Sequence, residues 1–218
     1  MATPRSPYAH ALGATIDELH PSLQRYFATI PAGRRGVGEG VFTRAGTPRR
    51  WLWPLIWLVQ DRGVVFAGDG CDVPFRIVNR TVGGTAVATR TFHLPGGRWT
   101  MTDAVVTHPA GGVADRLGSP ATVAAAFDVA VDGEALTLTS RSLGVALGRW
   151  RVRVPRPLSP VVRLRESHDA ASGRQRVELT VDAPLLGRVY GYDGTFDYRL
   201  EDDPDAPGRV AAVADVRG

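Results

Sequence analysis

From about Val73 to Leu200 the chain runs in short stretches of alternating apolar and polar residues, broken by turns that carry glycine. Such alternation marks half-buried strands, whose residues two apart face the same side. Candidate strands span 63–67, 72–80, 85–94, 98–108, 121–132, 135–142, 149–155, 161–168, 174–183 and 188–200. The connections VGGT, LPGGR, VDGE and AASGR are short and hairpin-like, so successive strands should pair antiparallel as a meander. So many sequential strands rarely stay open, because closure removes exposed edges. The expected fold is mostly β: an antiparallel meander barrel or half-barrel, lipocalin-like or fatty-acid-binding-like by analogy, in one domain over 1–218.

The flanks have their own signals. Residues Tyr8 to Ile30 show helical spacing, with Pro21 set to open a second helix, so 1–33 is an N-terminal helical segment. GRRGVGEGVFTRAG supplies a first strand, with Val37, Glu39 and Val41 on one face. Thr47-Pro48 has the form of a helix start, giving a capping helix over 47–60 that contains WLWPLIWLV. That helix is apolar almost all round. It is a buried core helix, a lid over a ligand pocket, or a contact with a membrane interface. Residues 204–218 are small and polar and read as a frayed tail.

Charged residues in phase with the apolar faces are the informative exceptions. Arg90 shares a side with Phe92 and Leu94, and Asp103 shares one with Trp99, Met101 and Val105. Glu166 and His168 share one with Val162 and Leu164, and Glu39 belongs to the same inward set. Buried ions are costly unless paired, hydrogen-bonded or wetted. The set is therefore either a structural ion pair inside the barrel or a group that orients a ligand. Glu166, His168 and Asp103 are the candidate proton-transfer residues. Arg90, Glu39, Trp99, Met101, Tyr190, Tyr192, Trp53 and Trp57 are the candidate ligand contacts. Tyr190, Tyr192, Phe196 and Tyr198 share one face of the last strand.

Composition removes other chemistries. All 26 basic side chains are arginine, which excludes lysine Schiff bases and the P-loop lysine. One cysteine, Cys71, excludes an internal disulfide, and the five histidines are scattered, so no metal or other cofactor is expected. The N-terminus lacks a long apolar core, and the apolar stretch Trp51 to Val59 falls short of the ~20 residues that span a bilayer. A cytoplasmic protein without a transmembrane segment is the expectation. Seven arginines (Arg141, Arg149, Arg151, Arg153, Arg156, Arg163, Arg165) lie between Glu134 and Glu166 with no acid among them. RWRVRVP should place Trp150, Val152 and Val154 inside and Arg151 and Arg153 outside. The resulting basic face is a solvated edge, a contact for an anionic lipid surface, or a site for an acidic partner. Nucleic acid is not expected, since no stacking aromatics are interleaved outward and the net charge is only +4.

The ordered segments LHPSLQRYF, GEGVF, VPFRIVN, TRTF, DRLG, VPRPLSP and PLLGRVYGYDG resemble a bacterial family, domain of unknown function 4166. Ala88 stands where that family's pattern has a tryptophan two residues before Arg90. The resemblance lends no established catalytic residues; it marks Arg90, Glu166 and Tyr192 as family-like positions.

The residues thus point to a barrel whose pocket takes a mostly apolar small molecule such as a lipid, terpenoid or polyketide. The alternatives are a cofactor-free isomerase or cyclase acting on such a molecule, and a protein-interaction module using the arginine face.

Overall fold

The computed structural model describes residues 5–118, 121–147 and 150–206. Its strands are β1 (Arg34–Gly46), β2 (Asp69–Val82), β3 (Thr85–Leu94), β4 (Gly97–Thr107), β5 (Val113–Leu117), β6 (Val123–Asp132), β7 (Ala135–Leu147), β8 (Trp150–Arg153), β9 (Val161–Asp169), β10 (Arg174–Ala183) and β11 (Gly187–Asp202). Ten of them close a ring in the order β1-β2-β3-β4-β5-β6-β7-β9-β10-β11, each antiparallel to its neighbours, and β11 returns to pair with β1. The barrel is therefore closed rather than half-open. Strand β8 stays outside the ring: β9 pairs with Leu136–Thr139 of β7, and β8 pairs with the far half of β7.

The turn chemistry and alternation explain most of this. Gly83 and Gly84, with φ of 56° and 80°, make the two-residue loop between β2 and β3 that right-handed strand twist favours. Bulges at Phe42/Arg44, Ala126/Phe127 and Val181/Asp182 add curvature. Residues 63–67 are not a strand but a loop whose Phe66 is buried, and β5 lies in a region read as a connection. Five residues are too few for alternation to stand out.

Short helices close one end. Helices α1 (Pro7–Leu12) and α2 (Pro21–Phe27) flank a 3₁₀ helix, Gly13–Glu18. Each α-helix begins with proline at its first turn. Ser6 caps α1 by accepting from the Ala9 amide, and its hydroxyl donates to the Phe27 carbonyl at 2.5 Å. Leu12, Leu19, Leu23, Tyr26 and Phe27 pack into the barrel core, so the segment is a plug.

The opposite end carries a 3₁₀ turn, Arg50–Leu52, and helix α3 (Trp53–Gln60). The helix starts later than Thr47. That residue is buried and its hydroxyl donates to the Phe66 carbonyl instead of capping. This apolar segment is not buried all round: Leu52 is buried, whereas Trp51 and Trp57 are 61% and 59% exposed.

Two further expectations are corrected. Of Val37, Glu39 and Val41, the last two lie toward solvent on the outer face, whereas Val37 is fully buried. Glu39 pairs there with Arg76 and Arg199. The inward positions of β1 are Gly36, Gly38 and Gly40, and the side chains of Tyr198, Phe196 and Ile77 fill the space their missing Cβ atoms leave. The run of arginines is also less bare than its sequence. Arg141 and Arg163 pair with Asp128 and Asp182 on neighbouring strands, and Arg165 reaches past β7 to Asp132 at the end of β6. Val152 is exposed, since β8 lies outside the ring, whereas Val154 faces inward. Arg149, the side chains of Trp150 and Arg151, and residues 207–218 of the tail lie outside the described residues. Asp203, just before it, is buried and held by Arg80 at 2.6 Å.

Candidate functional site

Between the plug and the α3 end the barrel encloses a chamber of about 330 Å³. Its walls are apolar, made by Val105, Val113, Leu117, Val123, Ala125, Phe127, Leu138, Leu143, Val145, Val162, Leu164, Leu179 and Val181. Val64, Val65, Val154 and Pro160 contribute from the α3 end. The polar groups are few: Arg90, Asp103, Asp115, Tyr8, Tyr190 and Tyr192. A second space of about 50 Å³ lies toward the plug. Tyr8, Arg90 and Asp103 line both spaces, so they form a polar layer between them, and Glu166 faces the smaller one.

Strand parity delivers these side chains. On β3, Ala88, Arg90 and Phe92 point in; on β4, Met101, Asp103 and Val105; on β5, Val113, Asp115 and Leu117. Arg90 donates to Asp103 in a pair whose carboxylate is buried and whose guanidinium is largely shielded from solvent. Glu166 accepts from the Gln175 amide at 2.5 Å. Oδ1 of Asp115 and the hydroxyl of Tyr190 are buried with no hydrogen-bond partner among the described residues.

One guanidinium therefore shares a buried layer with three carboxyls. Burial opposes the charge on Arg90, but Asp103 and its other neighbours outweigh it, and its pKa rises above the ordinary value. Burial pushes Asp103 up, and Arg90 counters part of that. Asp115 is pushed up to about 8 by burial and by the Asp103 carboxylate. Glu166 is pushed up to about 7 by burial, against the Gln175 hydrogen bond and Arg90. Burial also lifts Tyr192 to about 12 and Tyr190 well above its usual value. At neutral pH the chamber thus offers Asp115 as a carboxylic acid, beside two neutral phenols and a cation already bound to its counterion.

Among the expected ligand contacts, Arg90, Met101, Tyr190 and Tyr192 line the chamber. Trp99 does not. Its indole N–H donates to the Gln60 carbonyl at 3.1 Å, and its ring meets Phe66 and Phe92 edge-on, so it anchors α3 to the wall. Trp53 donates to the Thr47 carbonyl at 2.9 Å, Trp57 is exposed, and Glu39 is on the outer face. Among the expected proton-transfer residues, Asp103 faces the chamber, Glu166 faces the plug side, and His168 is stacked under His20 of the plug at 3.8 Å between ring centroids. Asp115 was not anticipated. Its signal, Val113-x-Asp115-x-Leu117, is present but spans a strand too short to be read. Among the described residues no three His, Cys, Asp or Glu side chains come together as a metal site.

The fold and site define an antiparallel β-barrel with an internal apolar chamber and a buried polar layer. The chain belongs to the family described as Domain of unknown function (DUF4166), whose model matches residues 19–196. No curated protein and no solved structure matches it. Among the described residues no helix is long and apolar enough to cross a membrane.

Proposed function

We propose that the barrel binds a mostly apolar small molecule, of the lipid, terpenoid or polyketide kind, whose polar end is an uncharged oxygen group. The supporting observation is the chamber itself: about 330 Å³ of apolar wall with its polar groups gathered in one layer. Ligand pockets of roughly 300–1,000 Å³ are built this way, with apolar lining for affinity and a few polar groups for orientation. The charge balance favours a carbonyl or hydroxyl over a carboxylate. Arg90 is already engaged by Asp103, and a further anion would join a layer that holds one cation and three carboxyls. A carbonyl oxygen, by contrast, accepts hydrogen bonds from protonated Asp115, Tyr190 or Tyr192. The test is displacement of a polarity-sensitive apolar dye at neutral pH by a long-chain ketone, alcohol and carboxylate of equal length. The neutral compounds should compete best. Absence of dye binding counts against the chamber as a site, and a carboxylate that competes best counts against the charge argument.

A second reading is favoured by Asp115 alone: a chamber-facing carboxyl that titrates near neutrality suits proton transfer in a cofactor-free isomerase or cyclase. Under that reading Asp115→Asn keeps the guest and loses turnover by about 10²–10⁴-fold. An unchanged rate with the native substrate removes it.

A further inference from the structure

Among the described residues, five of the nine exposed large apolar side chains, including both exposed tryptophans, lie at one end of the barrel. Trp51 and Trp57 lie in the β1–β2 connection, Leu158 in the β8–β9 connection, and Leu185 and Leu186 in the β10–β11 connection. Strand direction puts all three connections at the α3 end, and the ring order β2-β1-β11-β10-β9 makes them consecutive along its rim. Arg49 ties two of them together by donating to the Arg188 carbonyl at 3.2 Å. Leu185 is fully exposed and has a positive φ of 64°, so its backbone adopts a disfavoured conformation that presents an apolar side chain to solvent.

The charges on this rim are net basic. Arg49, Arg50, Arg153 and Arg156 are exposed and make no ion pair among the described residues. The rim acids Asp69 and Asp182 are taken up by Arg44, Arg163 and Arg188, which leaves exposed Asp61 and Asp72 against Arg49, Arg50, Arg62, Arg153 and Arg156. At the plugged end, exposed Asp17, Glu18, Asp132, Glu134 and Asp202 accompany the arginines.

We infer that this rim docks on an anionic lipid bilayer, with the tryptophans and leucines entering the headgroup boundary and the arginines that have no acidic partner meeting lipid phosphates. Aromatic and leucine side chains flanked by arginine are the composition that partitions to such interfaces. Docking in this pose sets the α3 end of the chamber, where Val64, Val65 and Pro160 lie, against the membrane. It requires nothing of what the chamber holds.

The test is sedimentation of the full chain with vesicles of phosphatidylcholine alone or of equal parts phosphatidylcholine and phosphatidylglycerol. The chain should sediment with the mixed vesicles, less with phosphatidylcholine, and less at high salt. Arg49→Glu and Arg156→Glu should each weaken binding by about five-fold or more, the contribution of one basic residue near an anionic surface. Trp57→Ala with Leu185→Ser should weaken it further and leave the thermal melt unchanged, because these side chains are exposed. Failure to sediment with either vesicle, or sedimentation indifferent to all four substitutions, overturns the inference. So does a wild-type dimer that Trp57→Ala converts to monomer without any vesicle binding, since the rim would then meet a second copy.

Discussion

Arg90 on β3 reaches diagonally to Asp103 on β4, the residue that sits across from Ala88, and the two form an ion pair inside the barrel. Removing one partner strands the other charge in a medium that solvates it poorly. Arg90→Met should destabilise the fold by about 3–5 kcal/mol near neutral pH. The loss should shrink in acid, where Asp103 takes a proton. Arg90→Met with Asp103→Leu should recover much of it. Urea unfolding of the two single variants and the double variant measures the coupling, and additive effects would mean that the pair contributes nothing.

Stability should fall as pH rises through neutrality. In the folded chain Asp115 titrates at about 8 and Glu166 at about 7. Carboxyls in an unfolded chain titrate near about 4. Between those values the folded state holds protons that the unfolded state has lost, so the contribution is full below about pH 4 and declines through pH 7 and 8. Asp203 acts in the opposite sense. Arg80 holds its carboxyl down at about 2, so its contribution is present above about pH 4 and lost as pH falls toward 2. Unfolding free energies measured from about pH 5 to 8 should slope downward, and Asp115→Asn and Glu166→Gln should each flatten the slope.

Filling the chamber separates binding from folding. Ala125 on β6 faces the chamber and pairs across to Asp115. Ala125→Phe should occupy the space beside that carboxyl, abolish binding of an apolar dye and leave the melting temperature equal or higher. Dye titration with a thermal scan reads both, and intact binding would move the guest to another site.

The close approach of β1 to β11 should make Gly40 intolerant of substitution. A Cβ there would lie 2.1 Å from the Thr195 carbonyl oxygen and 2.7 Å from the Phe196 Cα, both backbone atoms that must shift to admit it. Gly40→Ala should cost about 1–3 kcal/mol or more. Gly96, where an added Cβ meets nothing within 4 Å, is the control, and Gly96→Ala should stay within about 0.5 kcal/mol. Equal effects in denaturant melts would contradict the tight contact.

Alternation made most strands legible, because a period of two survives wherever one face is buried, and it placed Arg90, Asp103 and Glu166 inside. Phase alone does not say which face is inner. On β1 the valines suggest one answer, and the glycines, backed by rings from β11, dictate the other and turn Glu39 outward. Asp115 is not legible in the sequence because β5 offers only three inward positions. The partners of the arginines are invisible in any local run because the ring brings together residues distant in sequence. Arg165 finds Asp132, 33 residues away. The chamber's volume depends on how many strands close the ring and on how far the plug enters, and neither is written in any local run.

The seam between β1 and β11 sets the order in which this protein can be made. Val37 faces Arg199 across it, so the first strand waits for nearly every later one to emerge from the ribosome. Until then β1 and β10 each offer a bare edge, a template for association with another chain. A nascent or clipped chain that stops before Gly187 cannot cover those edges. Aggregation should therefore be the fate of such fragments, and the last strand acts as the latch that leaves the finished ring without a bare edge.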